Sequence, residues 1–215
     1  MNILLKTKHY INLKILIKSM CVVTVFLLVF NIAGFEANCN HIRQNVLRLH
    51  ILANSDSAED QALKLKVRDA VLTAAENVFE NCESEQQAEE AARQNIEKIK
   101  DVARKTIAES GYDYEVEAKV CNMWFENRVY DNFTLPAGNY EAVRVEIGKA
   151  EGKNWWCVMF PSVCLPSAEA NKGLDSALTK EETEMCEKPE NYVVKFKVVE
   201  IFERCRNEMK NWLGF

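Results

Sequence analysis

The sequence predicts an α+β fold: a largely antiparallel sheet of about four strands with helices packed on it, preceded by an N-terminal export or anchor segment. Three observations predict it. Apolar residues recur at helical spacing between residues 58 and 107, short segments between 112 and 160 alternate or run apolar in the manner of strands, and a lysine-led apolar run stands at the front. With 48% hydrophobic and 27% charged residues among 215, the polypeptide can bury a core, and 7 glycines and 4 prolines leave little room for linkers. The net charge is -5, and Lys6, Lys8, Lys14 and Lys18 stand against Glu36 alone in residues 1–38, so the rest is more acidic still. Such a body repels phosphate, which argues against nucleic acid as a partner.

The four lysines precede Met20 to Phe30, apolar throughout, and then the small, turn-prone Asn31 to Gly34. A positive region followed by an apolar one is an export signal. The run alone is short for crossing about 30 Å of hydrocarbon, and extension through Ile32 and Phe35 brings it near that limit. The expectation is therefore residues 1–39 as signal peptide or N-terminal anchor, and 40–215 as an exported globular signalling domain. A cut before Asn40 and one near Gly34 both remain open. The membrane is met only through this segment.

Asn45 to Ala53 reads as a strand with Val46, Arg48, His50 and Leu52 on one face and Leu47, Leu49 and Ile51 on the other. Asn54 to Ser57 stops it and offers Asp56 or Ser57 as helix cap. Leu63, Val67, Ala70, Val71, Ala74 and Val78 then form a helical stripe, with Asp60 and Lys64 as a surface i,i+4 pair. Ser84 to Gln87 has the form of a capping box, and Ala88 to Ile107 continues as one helix until Gly111. From Tyr112 to Val120 the period becomes two. Tyr140 to Ile147 alternates again, and Trp155 to Phe160 reads as a strand buried on both faces, so the two suggest a β-hairpin. Residues 165–190 read as loop with short helix. Val194, Val198, Ile201, Cys205 and Trp212 mark the buried seam of a C-terminal helix, although Tyr192 to Val199 can also be read as a strand.

Of eight cysteines, Cys157 and Cys164 lie closest, with six residues between them, Pro161 included, and an export route permits a disulfide between them; buried free thiols are the competing reading. No HExxH, CxxC, GxSxG, P-loop or GxGxxG occurs, so neither a metal nor another cofactor is expected. His50 beside Cys157 can imitate a nucleophile pair, which sustains an alternative: an exported thiol- or metal-dependent hydrolase. Trp124-Phe125 and Trp155-Trp156 read as interface anchors or as a core cluster.

Arg48-Leu-His-Ile-Leu-Ala-Asn-Ser-Asp-Ser57 and Asp60 to Asp69, followed far away by Leu135 to Ala142, Gly152 to Pro161 and Cys164, resemble the stage II sporulation protein R family of endospore-forming bacteria. The likeness covers nearly the whole chain. Phe125-Glu126-Asn127 and Pro161-Ser162 depart from it, where family members tend to carry Phe-Pro-Thr and a double proline. The resemblance implies a signal and not an enzyme. Such proteins are exported from the forespore into the intermembrane space, where they activate a membrane-embedded aspartic protease that processes pro-sigma factor E. On that implication the strand, cap and helix from Arg48 to Asp69, with the Trp155 to Cys164 hairpin edge, form or support the contact surface; the competing reading is that these blocks only specify the fold. Arg48, His50, Asp60, Lys64, Arg68, Trp155 and Trp156 are its expected partner-binding residues.

Overall fold

The computed structural model describes residues 2–130, 132–161, 163 and 173–213. It divides into two compact units, Met1–Cys39 and Asn40–Phe215. The first lies within helix α1 (Asn2–Gln44), which passes through Asn31 to Gly34 without the turn that those residues suggest. Within it, Ile15–Gln44 is long and apolar enough to cross a membrane, with a mean hydropathy of 2.4 over its apolar window; a signal sequence meets the same test.

In the second unit, β1 (Leu47–Leu52) leads into α2 (Ala58–Phe79), α3 (Glu85–Gln94) and α4 (Ile96–Glu109). The chain returns through β2 (Val116–Phe125), a small β3 (Arg128–Val129) and β4 (Thr134–Leu135) hairpin, β5 (Gly138–Ile147) and β6 (Asn154–Phe160). α5 (Lys180–Glu187) and α6 (Val193–Leu213) close it. The main sheet has the order β2-β5-β1-β6, so the architecture is the expected α+β with four strands. It is mixed: β1 runs parallel to β5, whereas the β1–β6 and β2–β5 pairs are antiparallel.

The β5–β6 hairpin does not form, because β1 lies between its two arms. β1 is buried along its whole length and therefore takes a central place, where both its faces and both its edges are covered. The 148–153 loop must then step over one strand, about 10 Å from β5 to β6. It is clasped by the loop after β1: Lys149 N donates to Asn54 Oδ1 (3.0 Å), Gly152 N to Ala53 O (2.9 Å), and Lys153 N to Asp56 Oδ1 (2.7 Å).

The helices cover one face of this sheet. Leu47, Leu49 and Ile51 of β1 meet Leu63, Val67 and Val71 of α2, Ala88 and Ala92 of α3 and Ile99, Ala103 and Ile107 of α4 in a single core. Full burial of each branched residue stabilises by roughly 1.5–3 kcal/mol. Ser84 accepts from Gln87 N at the start of α3. The single helix expected from Ala88 to Ile107 is interrupted at Asn95, whose side-chain amide donates to Ala91 O (2.8 Å) and whose backbone N–H is shared between Ala91 O and Ala92 O. That local competition breaks the ladder between α3 and α4. Gly111, at φ +83°, ends α4 in a Schellman motif, with Gly111 N donating to Ala108 O and Tyr112 N to Ile107 O. This delays β2 to Val116, four residues later than the alternation suggests.

α6 is helical as preferred, but its expected seam faces outward. Val194, Ile201 and Trp212 are 76%, 54% and 85% exposed, whereas Phe196, Val199, Glu200 and Glu203 are buried. Polar bonds select that face: Asn127 Nδ2 donates to Glu200 Oε2 (2.6 Å), and Arg43, itself buried, lies 4.0 Å from Glu203. The 173–191 stretch holds α5, started by a capping box between Thr179 and Glu182.

Glu85 is 6% exposed, and burial, reinforced by Glu89 and Glu141, raises its carboxyl to about 7. The folded protein therefore holds a proton that the unfolded one has released above its ordinary value of 4.5, and stability falls as pH rises from 4.5 to 7. Glu85→Gln is expected to stabilise the protein by about 1 kcal/mol at pH 7.5, after discounting for residual solvent, and by almost nothing at pH 4.5. Urea titrations at the two pH values check this; an equal gain at both removes the proton from the explanation.

Candidate functional site

The sheet divides the expected contact residues into two groups. Alternation along β1 sends Arg48 and His50 away from the helices, and the β1–β6 register sets His50 opposite Trp156 and Ile51 opposite Trp155. Arg48, His50 and Trp156 therefore share the face turned from the helical core. Trp155 packs on the helical side, where Arg68 of α2 lies 4.3 Å over its ring.

Arg48 is fully buried. Its guanidinium carbon lies 4.1 Å from the Phe125 ring centroid and 5.0 Å from that of Tyr140, and Nη2 donates to the Tyr130 hydroxyl. Its Nε and Nη1 have no acceptor among the described residues. His50 stacks on Trp156 with centroids 3.8 Å apart and planes 10° from parallel, and its Nε2 lies 2.8 Å from Asn154 Oδ1. Phe125 stands edge-on to Trp156 at 4.9 Å. Above this floor is a pocket of about 310 Å³ lined by Arg48, Trp124, Phe125, Glu126, Arg128, Asn154 and Trp156. A second groove of about 730 Å³ runs along β6, between Arg68 and Trp155 on one side and Arg128, Tyr130 and Phe133 on the other. Among the described residues β6 pairs only with β1, and Asn154 to Cys157 of β6 line this groove.

Burial lowers the His50 imidazole to about 4, against the opposing pull of its Asn154 bond, so the ring is neutral near pH 7. A neutral ring donates from Nε2 to Asn154 Oδ1 and stacks without carrying charge. The unfolded protein takes up this proton near 6.5 and the folded one only near 4, so stability is lost as pH falls through that window. The loss at pH 4 is expected to be about 2 kcal/mol, discounted for partial solvent access. His50→Phe keeps a stackable ring and should flatten that part of the acid limb in chemical denaturation series; an unchanged slope assigns acid sensitivity to other groups.

Asp60 and Lys64 do not form the expected surface pair. Both are buried, since their turn of α2 faces the two clasped loops. Asp60 Oδ2 accepts from Asn54 Nδ2 (2.8 Å) and Ser55 Oγ (2.6 Å). Burial alone would raise its carboxyl, but hydrogen bonds from Ser55, Asn54 and Tyr114 outweigh it and hold the group below its usual value. Lys64 Nζ donates to Lys153 O (2.9 Å) and Gln61 Oε1 (2.7 Å), and its ammonium is lowered by burial, partly offset by Asp56. Ser57 is the N-cap of α2, accepting from Asp60 N. Asp56 does not cap; its carboxylate is engaged by Lys153 N across the clasp. Arg68 pairs with Asp69 at 2.7 Å.

His50 and Cys157 do not form a nucleophile pair. Cys157 is disulfide-bonded and belongs to the helical-side core, opposite Leu49, whereas His50 belongs to the other face. A thiol engaged in a bridge and separated from the imidazole by the sheet cannot be activated by it. Cys82, Cys121, Cys186 and Cys205 of the second unit are free thiols, and burial pushes the Cys186 thiol up to about 12. Cys164, the expected partner of Cys157, lies outside the described residues. Among the described residues no group of three or more His, Cys, Asp or Glu is arranged to hold a metal.

Tyr130, Tyr140, Arg128 and Asn154 also line or support this site. Alternation places Tyr140 on the Arg48 face of β5, but nothing local marks Tyr130, which reaches Arg48 from the far side of the β3–β4 turn.

No solved structure matches this protein. Stage II sporulation protein R of Bacillus subtilis (strain 168) is 35% identical over 147 residues, 66% of this chain and 66% of that protein, so the match spans about two thirds of the relative's length. The family described as stage II sporulation protein R matches residues 43–170, a stretch that contains β1, the clasp, the Arg48 floor and β6. With more than half of its residues matched in this way, the chain belongs to the stage II sporulation protein R family.

Proposed function

We propose that this protein is an exported signal of endospore formation that activates a membrane-embedded aspartic protease of the mother cell and thereby triggers processing of pro-sigma factor E. Family membership gives the sporulation role. The apolar stretch of α1, long enough to cross a membrane, supports passage of the body from the forespore into the intermembrane space, released or N-terminally anchored. The observation that carries the reading is the placement of the matched residues: the described part of 43–170 builds a sheet whose β6, unpaired on its outer edge among the described residues, borders a groove and whose face turned from the helical core holds a charged, aromatic-walled pocket. Grooves beside open strand edges bind extended peptide segments, which suits a contact with another protein's extramembrane loop.

A ligand switches a protease on only by binding its active arrangement more tightly than the inactive one. Arg68 over Trp155 and Arg128 near Trp156 are the accessible cation-aromatic pairs beside the groove, and charged or aromatic anchors of this kind dominate binding energy. The test is to co-express the full-length protein, or a form lacking residues 1–39, with the protease and its pro-sigma substrate and to follow cleavage. Processing that requires the form with its export segment supports the reading. Processing that is indifferent to the presence of either form overturns it.

A further inference from the structure

The floor of the 310 Å³ pocket carries a positive charge that no carboxylate among the described residues neutralises. Burying a guanidinium costs several kcal/mol unless it is paired and fully hydrogen-bonded. The rings of Phe125 and Tyr140 and the Tyr130 hydroxyl offset part of that cost for Arg48. They leave its Nε and Nη1 hydrogens without an acceptor, although the residue is completely buried. No carboxylate pairs with it among the described residues, and the neighbouring imidazole of His50 is neutral near pH 7. Arg128 adds a second cation at the pocket wall, its guanidinium carbon 5.7 Å from the Trp156 centroid. The one anion of the lining, Glu126, is exposed and lies 3.3 Å from Arg204.

The remaining walls are Trp124, Phe125 and Trp156, with Asn154 as a polar edge. One unpaired guanidinium matches one negative charge, and aromatic walls match carbon next to that charge. A phosphate dianion brings twice the charge and more oxygens than these donors serve. We propose that the Arg48 pocket binds a carboxylate carried on an apolar peptide segment, held by the positive potential of the buried Arg48 guanidinium beneath the floor and by the exposed Arg128 at the wall, with its adjoining hydrocarbon against Trp124 and Trp156. The signalling role proposed above bears only on which protein owns that segment, and the pocket chemistry stands without it. An acidic residue and the terminal carboxylate of a polypeptide supply the same group.

The test uses the full-length protein in detergent micelles, 15N-labelled. The Arg48 Nε–H signal is identified by its loss in both Arg48→Lys and Arg48→Met. Four short acetylated peptides serve as probes: Phe-Glu amide, Phe-Gln amide, Ala-Phe with a free terminal carboxylate, and Ala-Phe amide; inorganic phosphate is the fifth. Saturable shifts of the Arg48 Nε–H and Trp156 indole signals with a carboxylate peptide, at least tenfold weaker with its amide counterpart, support the site. Which of the two carboxylate peptides binds assigns the source. Arg128→Met, which leaves the floor intact, should weaken binding severalfold. Equal binding of acid and amide, tighter binding of phosphate, or no saturable shift overturns the proposal. The two readings part cleanly: peptide binding without any effect on pro-sigma cleavage removes the signalling role and keeps the pocket, whereas cleavage without peptide binding does the reverse.

Discussion

Gly152→Ala is expected to destabilise the protein by about 2–4 kcal/mol, the range for forcing atoms into a packed site that cannot yield. A Cβ on Gly152 meets the Ser55 carbonyl oxygen and stands 2.5 Å from its carbon, and both are backbone atoms with no rotamer to change. Relief requires the 148–153 loop to part from residues 53–56. That motion stretches the Gly152 to Ala53, Lys149 to Asn54 and Lys153 to Asp56 bonds together, and it pulls Lys153 O from the Lys64 ammonium. The loop N–H groups can turn to water, but the buried Lys64 ammonium, left without its carbonyl, costs about 1–3 kcal/mol. Gly34→Ala is the control, since nothing lies within 4 Å of its Cβ and alanine favours a helix. Urea or thermal unfolding of the full-length protein in micelles separates the two. A loss below about 1 kcal/mol for Gly152→Ala means that the loops slide apart freely and that the clasp does not hold the sheet order.

Arg48→Met is expected to leave stability within about 1 kcal/mol of the parent while lowering pro-sigma processing at least tenfold in the co-expression assay. The substitution loses cation-π attraction and the Tyr130 bond, worth about 2–3 kcal/mol together. It also removes a buried charge whose Nε and Nη1 have no acceptor among the described residues, and replacing such a charge by an apolar group of similar reach recovers a comparable amount. Leu49→Ala, one residue away on the other face and equally buried, should instead cost about 2–5 kcal/mol because it empties the helical core. If Arg48→Met unfolds the protein as strongly as Leu49→Ala, the arginine is a structural brace. If it folds and processing is unaffected, Arg48 is not part of the contact.

Legibility in the sequence followed the range of the interaction. β1, α2 and the caps at Ser57 and Ser84 are set by neighbours within four residues, and the sequence marks them closely. The division of Arg48 and His50 from Leu49 and Ile51 is legible too, because strand residues alternate whatever the strand packs against. Periodicity cannot say what lies on either side. The outward apolar stripe of α6 and the buried Glu200 and Glu203 show this: the stripe is real, but Asn127 and Arg43, which approach the other face, are distant in sequence. Asp60 and Lys64 have the spacing of an exposed pair, yet the loops folding over them convert both into buried ties.

By itself the sequence determined the α+β class, the lysine-led apolar front and the residues from Arg48 to Asp69 and Gly152 to Pro161 that mark the family, because composition, local spacing and identity are properties of the linear polymer. Only the tertiary structure decided that β1 enters between β5 and β6, that the sheet separates His50 from Cys157, and that Arg48 lies against aromatic rings with two of its nitrogens lacking an acceptor among the described residues. Those outcomes depend on which distant segments exclude water from one another, and hydrophobic burial, being non-directional, carries no record of its partner in the local pattern.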